Sequence, residues 1–393
     1  MKSIYYYMLA GLTLSTSGCS SWLSEDDAPV MSYDYYETEA GVNAAITAAY
    51  GFLRWGVGGE RFDVLTELGT DLFTEGEDGN NRESYNKYAT QLNPDDGILY
   101  EMWQNHYKGI SDANIAMQKI LDSQDLLENV KAQSYAEMQF IRAYLYFDLV
   151  QQFGRIPLVT EGSFDIRTSF KRAPVADIYS LIISDLRNAV ENLPEKVATK
   201  GRATCYSAAH LLSKVYLTRG SAVSDPRGQK ATDIDSTLYY AEKVINSGAF
   251  ALQENFSSLW DISNQGNSEV VFAVQFTTEP MFNGDGNRQH LYWLSWYEDQ
   301  PGMLRDIANG RPYRRHVATK KTMDDLYDRL HDSRFYKSFK WVYYANNVNT
   351  LPAWESLSYD GTVYFNPDPS KGQVTGQLKF QHGDTAIYYT MEK

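Results

Sequence analysis

Fifty Asp and Glu side chains against 36 Lys and Arg give this 393-residue chain a net charge of −14. So many carboxylates make a pair at the roughly 5–10 Å separations of glycoside hydrolysis easy to imagine and impossible to assign. The six histidines are scattered with no HExxH pattern, and Cys19 and Cys205 are too few for a disulfide framework or a paired-Cys zinc motif. Residues 71–97 (DLFTEGEDGNNRESYNKYATQLNPDDG) place Asp71, Glu75, Glu77 and Asp78 on one polar loop. That set suggests calcium, but the EF-hand pattern D-x-[DN]-x-[DN]-G does not fit it. No catalytic residue, cofactor or metal ligand is therefore assigned. The acidic balance also argues against nucleic acid, which needs a basic patch for its phosphates.

What remains is aromatic. Thirty tyrosines and eight tryptophans supply flat faces with a hydrogen-bonding edge, the chemistry that sugar-binding surfaces require. Most belong to the core. Position and residue type single out Phe73 and Asn81 on the long first loop, Tyr292, Trp293, Trp296 and Tyr297 on an aromatic loop, and Tyr313 on the basic turn NGRPYRR. For each of them, core or interface packing is the competing role. The four aromatics of 292–297 cannot all point one way, so one or two of them are expected to face a ligand.

The elements that must position these residues are mainly helical. Residues 136–161 (AEMQFIRAYLYFDLVQQFGRIPLVTE) are apolar at almost every position through the middle, interrupted only by Arg142 and Asp148. A helix apolar all round is buried all round, so this is the central helix. Arg142 is then expected as a buried guanidinium satisfied by carboxylate and backbone oxygens. Gly154 supplies a left-handed cap and Pro157 cannot extend the helix. Further helices are expected over 37–55, capped by Thr38, and over 98–121, 174–193, 203–219 and 236–247. Cys205 reads as a small buried thiol. The pairs 136–153 with 174–193 and 203–219 with 236–247 look like tetratricopeptide hairpins. After residue 249 the texture turns irregular, with strands expected over 269–276, 339–344 and 377–380.

The central stretch resembles the signature of the SusD/RagB family of outer-membrane lipoproteins. Glu137, Phe140, Arg142-Ala143, Tyr146-Phe147, Leu149-Val150, Phe153-Gly154 and Pro157-Leu158 carry the resemblance in order. Gly201, Arg202, Ala208, Ala209, Leu212, Lys214, Val215, Tyr216 and Leu217 resemble the family's second signature, and looser likeness runs from 19 to about 340. The resemblance implies tetratricopeptide-like helical hairpins in an α/α superhelix, with a loop-rich ligand-binding region carrying a few short strands. It implies a non-enzymatic protein that captures oligosaccharide or polysaccharide and delivers it to a partner SusC-like TonB-dependent transporter. The alternatives are an assembly scaffold, a binder of a non-sugar nutrient such as peptide, and, less in keeping with a binding family, a glycoside hydrolase.

The start of the chain reads as targeting. Lys2, a short apolar run over 4–14 and the small residues Ser15, Ser17 and Gly18 lead into Cys19. Small residues before a cysteine resemble a bacterial lipobox, although Thr16 stands where the pattern usually has Leu. The expected layout is a signal peptide at 1–18, a tether lipidated at Cys19 over 19–36, and a SusD-like domain over 37–393, helical mainly to 248. The resemblance implies multiple acyl chains at Cys19 that anchor the protein firmly to the outer membrane, with its body expected to face the exterior. The family continues with a further helical pair beyond the point where this sequence stops. An open face of the helical layer and lower stability than in complete relatives are therefore expected.

Overall fold

The computed structural model describes residues 35, 38–76, 83–88, 92–162, 168–223, 226–279, most of 281–347, and 354–359, 362–367 and 385–388. Cys19, Asn81 and the strand expected over 377–380 lie outside the described residues. The helices are α1 Glu39–Gly51, α2 Arg54–Gly58, α3 Glu60–Thr66, α4 Glu83–Lys87, α5 Gly97–Asp122, α6 Glu128–Phe153, α7 Val175–Asn192, α8 Cys205–Gly220, α9 Asp233–Ile245, α10 Phe256–Leu259, α11 Gln289–Tyr292 and α12 Arg334–Ser338. The strands are β1 Phe73–Glu75, β2 His316–Ala318, β3 Val342–Tyr344, β4 Trp354–Tyr359, β5 Thr362–Pro367 and β6 Thr385–Tyr388. They form three separate antiparallel pairs, β1–β2, β3–β6 and β4–β5. The molecule is thus mainly helical with a few short strands, as expected.

Helices α5 to α9 pack each on the next, and α1 covers α5 and α6. The expected pairs are both present, α6 with α7 and α8 with α9. Helix α6 lies at the centre: Met138, Phe140, Ile141, Ala143, Leu145, Tyr146, Phe147, Leu149 and Val150 are all buried. It begins at Glu128, eight residues before the apolar run, because its first turns carry polar residues exposed to solvent. Gly154 ends it with φ at 66°, where a Cβ is disfavoured, and its N–H donates to the Val150 carbonyl at 3.0 Å. On α7, Ile178, Ile182, Leu186 and Ala189 recur at helical spacing and bury a single stripe. Thr38 caps α1 through a hydrogen bond accepted from the Gly41 N–H at 3.1 Å. At the far end, α9 leaves Ile234, Leu238, Tyr239 and Ile245 exposed.

Two polar networks join these helices. Arg142 donates through Nε and Nη2 to the two carboxylate oxygens of Asp185, each at 2.8 Å, and through Nη1 to Asn114 Oδ1 at 2.7 Å and the Thr160 carbonyl at 3.3 Å. Arg202 donates to both oxygens of Glu137, at 2.7 and 2.6 Å. Tyr50 donates its hydroxyl to Glu137 Oε1 at 2.7 Å and accepts the Ala203 N–H at 2.7 Å. The second network therefore ties α1, α6 and the start of α8 through one acidic and one basic residue from the two sequence signatures. Cys205 is buried and free, its thiol pKa pushed up by burial.

The segment expected as a strand over 269–276 is not one. It runs alongside the helical layer, with Val271, Phe272 and Val274 packed on the main core and the Phe272 ring 5.3 Å from Phe140. Alternation reports a half-buried extended segment, and a helix is the surface that buries it here. The strand expected over 339–344 is shortened to β3. The segment closes on α2 at Gly58, where a Cβ would lie 2.4 Å from Phe276 Cζ. Gly58→Ala is expected to destabilise the fold by about 1–3 kcal/mol, the usual range for overpacking. A chemical denaturation curve for the variant measures this, and an unchanged midpoint would contradict the close approach.

Candidate ligand-binding site

The long first loop and the basic turn meet through β1 and β2, which pair Phe73 with Ala318 and Glu75 with His316. The Thr319 N–H donates to the Leu72 carbonyl at 2.9 Å, and the Gly76 N–H donates to the Arg315 carbonyl at 2.8 Å. The same turn lies against the aromatic loop. The N–H groups of Tyr313, Arg314 and Arg315 donate to the carbonyls of Leu291, Leu294 and Tyr292 at 2.8, 2.9 and 2.9 Å. Three segments distant in sequence are so held edge to edge. The result is that the Phe73 ring meets Trp293 edge-on, centroids 4.9 Å apart, and Trp293 tilts against His316 at 5.0 Å.

Phe73 and Trp293 line an open cavity of about 1070 Å³. Tyr327 and Phe339 add apolar wall, and Gln289, Asn309 and Lys340 add hydrogen-bonding groups. Trp293 is 36% exposed, and its indole N–H donates to Gln289 Oε1 at 2.9 Å, which fixes the ring plane. Lys340 donates to Asn309 Oδ1 and lies 4.6 Å from the Tyr343 ring centroid. Burial lowers the Lys340 pKa, and Asp306 opposes the shift. An apolar face beside a few fixed polar groups can hold a sugar ring by stacking and its hydroxyls by hydrogen bonds.

The acidic end of the cavity carries Asp63 and Glu67. Asp63 Oδ2 lies 3.6 Å from His316 Nε2. Burial raises the Asp63 pKa to about 6, with repulsion from Glu67 and Glu60 adding to the shift and a hydrogen bond from Gln289 opposing it. A carboxyl that ionises later in the folded state than in the unfolded state loses stability as pH rises. Its contribution is full below about 4, falls as pH rises to about 6, and stays low above that. Asp63→Asn is expected to flatten this part of the stability–pH profile. Thermal melts of both proteins across that window measure it, and parallel profiles would refute the assignment.

Of the residues expected from sequence, Phe73 and Trp293 share the cavity. Tyr292 and Tyr297 are buried packing residues. Tyr292 lies 6.1 Å from His316 and 6.0 Å from Tyr313, turned away from this cavity. Tyr297 is fully buried, stacks on Tyr343 at 5.1 Å and donates its hydroxyl to the Gly310 carbonyl at 2.6 Å. It holds the wall from behind. Trp296 lies under Arg314 at 5.9 Å and Tyr313 between Arg311 and Arg315 at 5.0 and 5.1 Å, neither lining the cavity. Gln289, His316 and Lys340 escaped the sequence reading. Only Asn309 had a signal, at the start of the basic turn. Among the described residues no group of three or more His, Cys, Asp or Glu side chains is placed to hold a metal ion.

Comparison with known proteins places this architecture. Residues 30–217 match a SusD-like family model described as starch-binding and associating with the outer membrane. A SusD-like protein of Formosa agariphila is 27% identical over 340 residues, covering 79% of this chain and 63% of that one. The chain thus spans about three-fifths of that relative's length. The structure of a laminarin-binding SusD-like protein superposes with a TM-score of 0.63 at 24% identity, covering 90% of this chain and 76% of the other. A structure with xylogluco-oligosaccharide superposes with a TM-score of 0.57 at 22% identity, covering 74% and 56%. Both structural likenesses show the fold. With the two signature stretches joined through Glu137 and Arg202 in a stack of helical hairpins, and the family model spanning both, these likenesses support the SusD/RagB family for this chain.

Proposed function

We propose that this chain captures an oligosaccharide in the Phe73–Trp293 cavity without chemically altering it. The observation that carries the reading is the exposed, hydrogen-bond-anchored Trp293 ring packed on Phe73 at the cavity wall. Such a ring offers a flat apolar face to a pyranose, with Asn309 and Lys340 within the same cavity for its hydroxyls. Support comes from relatives that bind laminarin or carry xylogluco-oligosaccharide in the same fold. The start of the sequence supports a signal peptide over 1–18 and lipidation at Cys19, which anchor the protein at the outer membrane with its body outward. The helical layer of α5–α9 is then free to dock on a SusC-like TonB-dependent transporter, which receives the oligosaccharide. Glycan-array binding with the full chain tests the capture step. Selection of one polysaccharide class is expected. A cooperatively melting protein that binds no glycan would overturn the reading, and release of reducing ends from a bound glycan would convert it to an enzyme.

A further inference from the structure

Gln289 stands between the Trp293 ring and helix α3. Its Oε1 accepts the Trp293 indole N–H at 2.9 Å. Its Nε2 donates to the Gly59 carbonyl at 3.2 Å, and its side chain also donates to the Asp63 carboxylate. The chemistry of these partners fixes how the amide is turned. An indole N–H can only donate and a backbone carbonyl can only accept, so the amide oxygen faces Trp293 and the nitrogen faces α3. Asp63, one helical turn beyond Gly59, therefore meets the nitrogen and must accept. An ionised carboxylate suits that place, since both of its oxygens are acceptors only.

Protonation changes what Asp63 can do there. The neutral acid loses the charge that strengthens the bond from Gln289, and charge-assisted hydrogen bonds are roughly twice as strong as neutral ones. It also gains an O–H donor where the amide already presents a donor. Burial favours this neutral form, and so do Glu67 and Glu60 on the same helix. The other charged and titratable neighbours among the described residues come from the turn into β2. There His316 Nε2 lies 3.6 Å from Asp63 Oδ2, and Arg315 pairs with Glu60. His290 and Lys340 line the same cavity. His316 also tilts against Trp293 at 5.0 Å, so it offers a rival route from pH to the ring.

We propose that Asp63 is a positioning residue for sugar capture: its carboxylate holds Gln289, Gln289 holds the plane of the Trp293 ring, and protonation of Asp63 slackens that platform. The proposal rests on the reading of this chain as a glycan binder and adds a pH dependence to it. Asp63 acts through Gln289 and needs no contact with the sugar. Capture is then tighter when Asp63 is ionised and weaker when it is protonated, and the effect passes through one amide.

Indole N–H resonances of the nitrogen-labelled full chain test the relay without any ligand, the Trp293 signal being assigned by its loss in Trp293→Phe. That signal is expected to titrate with a midpoint of about 6, and to lose the titration in Asp63→Asn and in Gln289→Ala. Calorimetric titration with the glycan selected on the array reads the consequence. The parent protein should bind about fivefold more weakly at about pH 5 than at about pH 7.5, the scale of one charge-assisted hydrogen bond over a neutral one. Neither variant should show that step, with melts at both pH values verifying that each is folded. A step that survives in Gln289→Ala would mean that Asp63 touches the sugar itself, and one that survives in Asp63→Asn would belong to His316. Either result overturns the proposal, as does a Trp293 signal indifferent to pH in the folded parent protein. A titrating signal in a protein that binds no glycan upholds the relay and removes the capture reading, so the two failures are distinct.

Discussion

Asp185→Ala is expected to remove about 3–5 kcal/mol of unfolding free energy, the usual cost of breaking a buried ion pair from one side. The Arg142 and Asp185 side chains are only 5% and 2% exposed. The substitution leaves a guanidinium in the core with Asn114 and the Thr160 carbonyl as remaining partners, and takes from Gln139 the carboxylate to which it donates at 3.0 Å. The loss reaches three helices at once, because Asn114 is on α5, Arg142 on α6 and Asp185 on α7. Replacing both charges with apolar residues, as in Arg142→Met/Asp185→Leu, should recover much of the loss, since the uncompensated charge is then gone. Urea unfolding of the two single variants and the double variant measures the coupling. A single-variant cost below about 1 kcal/mol, typical of exposed pairs, would show that water reaches the pair.

This network also marks what was legible in the sequence. An apolar run with one arginine inside it dictates a buried helix and a satisfied guanidinium, and both are found. The identity of the partner was hidden. The carboxylate is Asp185, 43 residues away, while Asp148, the other charge of the run, lies 3.4 Å from His106 instead. Periodicity located the helices but misplaced the start of α6, because solvent-facing turns carry no apolar signal. It misread 269–276 because alternation records burial on one side and says nothing of the partner. The site was the least legible part. Phe73 and Trp293 are brought together by the β1–β2 pairing, between segments more than two hundred residues apart in sequence, and by the turn at 313–315, which bonds to residues 291–294. Residue type singled out aromatics on loops as a class, and two of them, Phe73 and Trp293, line the cavity. It had no means to separate Trp293, which faces a cavity, from Tyr297 four residues on, which is sealed behind it.

That separation supplies the sharpest test of the capture reading. Trp293→Ala should weaken oligosaccharide binding by about 2–4 kcal/mol, roughly thirtyfold to a thousandfold, as expected for a central aromatic anchor. Phe73→Ala should cost less, since its ring meets Trp293 edge-on and acts chiefly by holding that ring in place. Gln289→Ala frees the indole N–H from its only tether among the described hydrogen bonds and should lower affinity several-fold. Trp296→Ala, by contrast, should leave affinity within about twofold of the parent protein, because its ring lies under Arg314 and outside the cavity. The two tryptophans share a loop, a residue type and comparable bulk, so a general loosening of the loop would weaken binding in both variants. Titration of the glycan selected on the array, with melts to verify folding, distinguishes the cases. A large loss confined to Trp293→Ala identifies its cavity as the sugar platform, and equal losses in both variants would move the site away from it.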